Sequence, residues 1–179
     1  MNDRSLRSSI ISEGERLAVD ALYSEKGHFV AATPWRRGHL WLGVPAALFA
    51  FAAGAGFVGD YLGPAAASAL AFVSGSLSAI ATFLNPNETA KSHHNSGTAY
   101  GHIRRKLRQF VEITCKEADV AESELRAELA ALTKEITDIQ VAAKPIPKSA
   151  YEIARMEIDQ DNGTASYSNK DVDVAMDRI

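Results

Sequence analysis

Two stretches of this chain, residues 38–59 and 61–87, contain no Asp, Glu, Lys or Arg. The first carries GHLWLGVPAALFAFAAGAGFVG from Gly38 to Gly59, and the second carries PAAASALAFVSGSLSAIATFL from Pro64 to Leu84. A helix needs about 20 residues to cross the hydrocarbon core of a bilayer, and both runs reach that length. Between them stands only Asp60-Tyr61-Leu62-Gly63-Pro64. So short a link forces antiparallel neighbours, with Gly-Pro turning the chain and opening the next helix. The alternative is a pair of core helices in a soluble bundle. It would need partner helices to cover two surfaces that are apolar all round, and the rest of the chain offers amphipathic helices with little apolar surplus. The expected fold class is therefore an all-α membrane protein: a two-span transmembrane helical hairpin with amphipathic cytoplasmic helices in a coiled-coil-like bundle.

Orientation follows from flanking cations, which favour the cytoplasmic side. Arg36 and Arg37 precede the first span; Lys91, Arg104, Arg105, Lys106 and Arg108 follow the second; the link has Asp60 and no cation. Both termini are expected in the cytoplasm and the link outside, in a multi-pass membrane chain. Trp35 and Trp41 mark one interface and Tyr61 the other, where amphipathic rings prefer to sit. The first thirty residues have no apolar core of the signal-peptide kind, so insertion is expected to rely on the internal spans.

The spans are rich in Ala, Gly and Ser. Ala67, Ala71, Gly75 and Ala79 form a small-residue ladder on one helix face, Ser68, Ser74, Ser76 and Ser78 add hydroxyls, and Ala50/Gly54 and Ala55/Gly59 give similar pairs in the first span. Small residues let helix backbones approach and hydroxyls bond across an interface. Two readings stay open: these faces pack one span on the other, or they pack between protomers or line water. Pro45 is a candidate kink in the first span.

Outside the hairpin the pattern is that of amphipathic helices. Residues 3–30 carry Leu6, Ile10, Leu17 and Ala21 on one side, with Gly14 and Gly27 weakening the helix. After the cap signal Asn85-Pro86-Asn87, apolar or small residues recur at Ile103, Leu107, Phe110, Thr114, Ala118, Ala121, Leu125, Leu129, Leu132, Ile136 and Ile139. Steps of three and four make this the stripe of a coiled coil or bundle seam. Residues 88–140 are one helix, roughly 80 Å long if unbroken, or a helical hairpin folding back near Glu117–Glu124. Lys144-Pro145-Ile146-Pro147 ends that element, and 149–158 predicts a short closing helix with Tyr151, Ile153, Ala154 and Ile158 as its apolar positions. Residues 1–158 thus read as a single domain, and 159–179 as a polar, mobile tail.

Chemistry is sparse. Net charge is −3, too small to imply nucleic acid as a partner. The single cysteine, Cys115, allows no disulfide within one chain and reads as an ordinary helix residue. His93 and His94 are adjacent and therefore point about 100° apart, so they share no ligand face, and His102 brings no carboxylate at metal spacing. Neither a metal nor any other cofactor is expected. No phosphate-cradling glycine loop, nucleophile elbow or paired acid occurs, and no catalytic residue is assigned. The basic run Arg104, Arg105, Lys106 and Arg108 is a topology determinant and a candidate for anionic lipid headgroups or a ligand phosphate.

The order of these parts resembles the SLATT domain family, two-transmembrane effector domains associated with SMODS and SLOG modules. The resemblance extends from the N-terminal helix to about Ile158. It rests on NPNETAKSHHNSGTAYGHIRRKLRQF, where His94, Gly97 and Tyr100 match the family's histidine, small residue and aromatic, and on KPIPKSAYEIARMEI, where Pro145, Tyr151 and Ala154 match its proline-led closing helix. From the residues alone, His94, Gly97 and Tyr100 descend one helix face as a packing motif, with imidazole and phenol offering hydrogen bonds. The resemblance implies a membrane-disrupting effector of a prokaryotic conflict system, expected to work as a homo-oligomer in the lipid bilayer; with no fused sensor domain expected, its signal would come from a separate nucleotide-producing or nucleotide-sensing protein or bind the cytoplasmic helices directly. The rival expectation is a membrane-anchored scaffold that recruits a cytoplasmic partner and conducts nothing.

Overall fold

Helix α1 starts at Asp3 and runs without interruption to Val58, through both Pro34 and Pro45. The segments expected as a separate N-terminal helix and a first span are parts of one element. The reason lies in its buried stripe: Ile10, Gly14, Ala21, His28, Ala31, Ala46 and Ala53 are buried, and Leu17, Ser24, Trp35, Gly38 and Leu42 half-buried. Steps of three and four keep one phase across the polar stretch around Arg36, so each proline's lost backbone donor is set against a continuous seam. The computed structural model describes residues 3–58 and 61–161; Gly59, Asp60 and the tail from Asn162 lie outside the described residues.

Helix α2 is Pro64–Leu84, with Pro64 in its first turn after Gly63. These are the bounds expected of the second span. Asn85 closes it in the left-handed conformation, φ 42°, donating its backbone N–H to Ala81 O at 3.1 Å. Asparagine is among the few side-chain-bearing residues that tolerate this geometry. Pro86 then opens α3, Pro86–Glu112. A 3₁₀ turn at Thr114–Lys116 follows, then α4 at Glu122–Ala142 and α5 at Lys148–Asp161. About 90% of the described residues are helical and none is in a strand. Two of the helices are long and apolar enough to cross a membrane.

The chain forms two compact units: the N-terminal part up to Ala31 with everything from Ser92 onward, and Ala32–Lys91. The first is a polar helical bundle. Its core joins Ile10 and Ala21 of α1, Tyr100, Ile103, Leu107, Phe110 and Val111 of α3, Cys115, and Leu125 and Leu132 of α4. Lys106 of α3 pairs with Glu135 of α4 at 2.8 Å, so α4 folds back along α3 and residues 88–140 are not one helix. Cys115 sits in the 3₁₀ turn, buried in the core and not on a regular helix. Thr114, Ala118 and Ala121, read as part of a helical stripe, belong to this turn and its sequel, and Cys115 and Val120 point inward instead.

What holds the turn is Arg7. Its guanidinium donates to three carbonyl oxygens, Cys115 O at 3.3 Å, Glu117 O at 2.8 Å and Val120 O at 2.6 Å. Oxygens left over where a helix stops need donors, and one cation supplies them together. Helix α5 buries Ala150, Ala154 and Ile158, while Tyr151 and Ile153, expected on its apolar face, are exposed.

The second unit is a pair of apolar helical segments whose mutual face is made of small and medium residues. Ala46 and Ala53 of α1 and Ala67 and Ser74 of α2 are buried. Ser74 Oγ donates to Ala46 O at 2.7 Å, a cross-helix bond within the hairpin. Ser76 and Thr82 instead donate to carbonyls one turn back in their own helix, those of Phe72 and Ser78.

Candidate functional site

Within the polar bundle, the seam between α1 and α3 concentrates the polar chemistry. Along α3, His93, Gly97, Tyr100, Ile103 and Leu107 are buried, again at three- and four-residue steps. Three-residue intervals drift by about 60° per step, and that drift carries His94 out of the seam while Gly97 and Tyr100 stay in it. His94 is exposed and lies over Phe29, ring centroids 5.4 Å apart. The buried imidazole is that of His93.

His93 meets His28 of α1. Their Nδ1 atoms are 3.0 Å apart, and the rings are 2% and 3% exposed for His28 and His93. One ring must donate from Nδ1 and the other accept there, so the two imidazoles are in opposite tautomers when neutral. Tyr100 stacks on the other side of His28, at 5.6 Å and 19° between planes. Burial, and then the neighbouring His93, push His28 down to about 4. Burial and the Lys144 ammonium also hold His93 below the ordinary histidine range, and burial raises the Tyr100 phenol. His28 was not singled out from sequence. The signal available was its place in the α1 stripe, three residues before Ala31 and seven after Ala21.

One step away, the absence of a side chain at Gly97 leaves room for the Phe29 ring. A methyl group there would sit 3.0 to 3.2 Å from ring carbons of Phe29. Gly101 does the same for a side chain: its missing Cβ leaves room for the Glu25 carboxylate, which would otherwise lie at 2.8 Å. Glu25 accepts from Arg104 Nε at 2.7 Å, with both side chains mostly buried.

The basic run is accordingly divided. Arg104 is turned into the α1–α3 seam, Lys106 is paired with Glu135, Arg105 is on the surface beside His102 Nδ1 at 3.0 Å, and Arg108 is exposed with an interaction of its own. Two of these four cations are thus paired with carboxylates on other helices, Arg104 on α1 and Lys106 on α4.

The small-residue ladder separates as well. Ala67 is buried, but Ala71, Gly75 and Ala79 are exposed, and nothing lies within 4 Å of where a Gly75 side chain would begin. The face that packs inside the hairpin is instead Ala67, Leu70, Ser74, Leu77 and Ala81. Ala50, Gly54 and Ala55 are exposed too, while Gly59 lies outside the described residues. Of the two readings left open by the sequence, mutual packing of the spans through the ladder is the one this arrangement does not use.

Among the described residues, no group of three or more His, Cys, Asp or Glu side chains is placed to hold a metal ion. Comparisons with protein-family models, with curated proteins and with solved structures find no match for this chain.

Proposed function

We propose that this chain is a two-span membrane effector of a prokaryotic antiphage or conflict system, which assembles into a homo-oligomer and perturbs the inner membrane when activated. The observation that carries the reading is the exterior of the apolar unit. Trp41, Leu48, Phe51, Phe72 and Phe83 are exposed there, together with the outward small-residue faces of Ala71, Gly75 and Ala79. Large apolar side chains turned outward suit lipid, and small faces left uncovered within one chain suit close approach of a second copy. The cation asymmetry supports a topology with both termini in the cytoplasm. The resemblance to the SLATT domain family supplies the biological setting, and with it a separate nucleotide-producing or nucleotide-sensing protein as the source of the activating signal.

A single hairpin encloses no water path, because its two helices cover only each other. Several hairpins in a ring do, and a wall of Ala, Gly and Ser with no charged ring would discriminate poorly between ions. The signal acts by binding the open assembly more tightly than the closed one. No chemical turnover is involved.

The test is to express the protein with its genomic neighbours, challenge the cells with phage, and follow a potential-sensitive dye. Depolarisation coincident with growth arrest is the expected outcome. Protection that persists while infected cells keep their membrane potential would sink the pore and leave the scaffold reading in its place.

A further inference from the structure

Three polar side chains are buried among the described residues: Ser74, His28 and His93. Ser74 has its bond across the hairpin. The two histidines are different, because each is the other's partner and both titrate. With both rings neutral, one Nδ1–H points at one Nδ1 lone pair across 3.0 Å. A single added proton leaves that bond intact. A second makes both Nδ1 atoms donors, so no acceptor remains between them and two cations face each other at hydrogen-bond distance.

We propose that the His28–His93 pair is an acid-operated latch on the α1–α3 seam, closed while it holds at most one extra proton and forced open when both rings are charged. The surroundings favour this behaviour. Tyr100 stacks on His28 from α3, and Lys144, on the segment after α4, acts on His93 as a like charge. The nearest carboxylate along α1, Glu25, is already committed to Arg104. Nothing in that set neutralises a doubly charged pair. Position adds to the effect: His28 and His93 lie next to the points, Ala31/Ala32 and Lys91/Ser92, at which both helices leave the polar unit.

The sign is fixed by burial. A released ring titrates near histidine's ordinary 6.5, whereas the latched His28 is held at about 4. The latch is at full strength above about pH 6.5 and weakens as pH falls toward 4.

Hydrogen exchange on the full chain in detergent micelles tests it, comparing about pH 7.5 with about pH 5 after correction for intrinsic exchange. Peptides around His28 and His93 should open at least tenfold more readily in acid, and those around Leu125 and Leu132 should change little. The double variant His28→Gln, His93→Gln keeps a donor–acceptor contact that cannot charge, and it should lose the acid response. An acid response retained by that variant overturns the latch. Where the variant does not fold, ring-nitrogen NMR on the unaltered chain decides: two histidines titrating independently near the ordinary value overturn it, and depressed, coupled titration of the pair supports it. Protection that depends on added zinc and vanishes with chelator also overturns it, in favour of a metal clip.

Discussion

The polar unit and the apolar unit bury opposite kinds of side chain. In the first, Phe110 is 1% exposed and Ile103 and Leu107 are fully enclosed, while Lys106 and Glu135 pair at the surface. In the second, Phe83 is 90% and Phe72 77% exposed, and the buried positions belong to Ala46, Ala53, Ala67 and Ser74. Burial of large apolar groups drives folding only where the surroundings are water. A unit that turns its phenylalanines outward and joins its helices through alanines and one hydroxyl gains little from such burial, and the proposed membrane span would rely on close backbone approach instead. The two units share helices α1 and α3 yet follow two different rules of cohesion.

The sharpest way to break that contrast is a matched pair of truncations. Phe110→Ala should cost about 3–5 kcal/mol of bundle stability, the usual result of emptying a packed core position. Phe83→Ala should cost almost nothing to the fold of a single chain in detergent. Denaturation followed by circular dichroism reads both, and equal effects would collapse the distinction between the units.

A second pair compares glycines. Gly97→Leu meets Phe29 and should destabilise the bundle by about 1–3 kcal/mol through overpacking. Gly75→Leu meets open space, so the chain's own fold should be untouched. If copies of the hairpin pack through the ladder, the same change should lower the oligomer fraction on size-exclusion with light scattering. An oligomer unaffected by Gly75→Leu would move the interface elsewhere.

Smaller effects sharpen the comparison. Arg7→Ala removes a charged donor from three carbonyls and should cost about 1.5 kcal/mol, with the first loss of exchange protection at Cys115–Val120. Ser74→Ala removes the hairpin's cross-helix bond. Bonds of this kind average about 0.6 kcal/mol in a membrane protein, so thermal stability in lipid should fall only slightly.

Some of this was legible from the residues and some was not. The bounds of α2 were fully readable, because absence of charge, Gly63-Pro64 and Asn85-Pro86 are local signals that agree. The continuity of α1 was not, because the amphipathic reading ended at residue 30 and the charge-free run began at Gly38, and only the stripe carried between them from Ala31 to Leu42 argues otherwise. The fold-back between α3 and α4 was visible as one of two options, since steps of three and four persist through Thr114, Ala118 and Ala121 although those residues are not helical partners. At the seam, a motif at three-residue intervals favoured His94, whereas packing follows alternating threes and fours and selects His93. Its partner His28 comes from a distant part of the chain, and pairing at that range leaves no local trace. The destinations of Arg104 and Lys106 were hidden for the same reason: Glu25 and Glu135 lie on other helices.

Arg7 reaches carbonyls that stand 108 to 113 positions later in the chain. A ribosome makes Arg7 early and Val120 late, with the entire apolar hairpin between them. The N-terminal segment therefore waits, its seam uncovered, until α3 has emerged. In a membrane, the wait carries information. Only if the hairpin crosses an even number of times do Arg7 and its three oxygens arrive in the same compartment. A chain that threads once leaves Ile10 on one side and Leu107 on the other, with neither half able to complete its core.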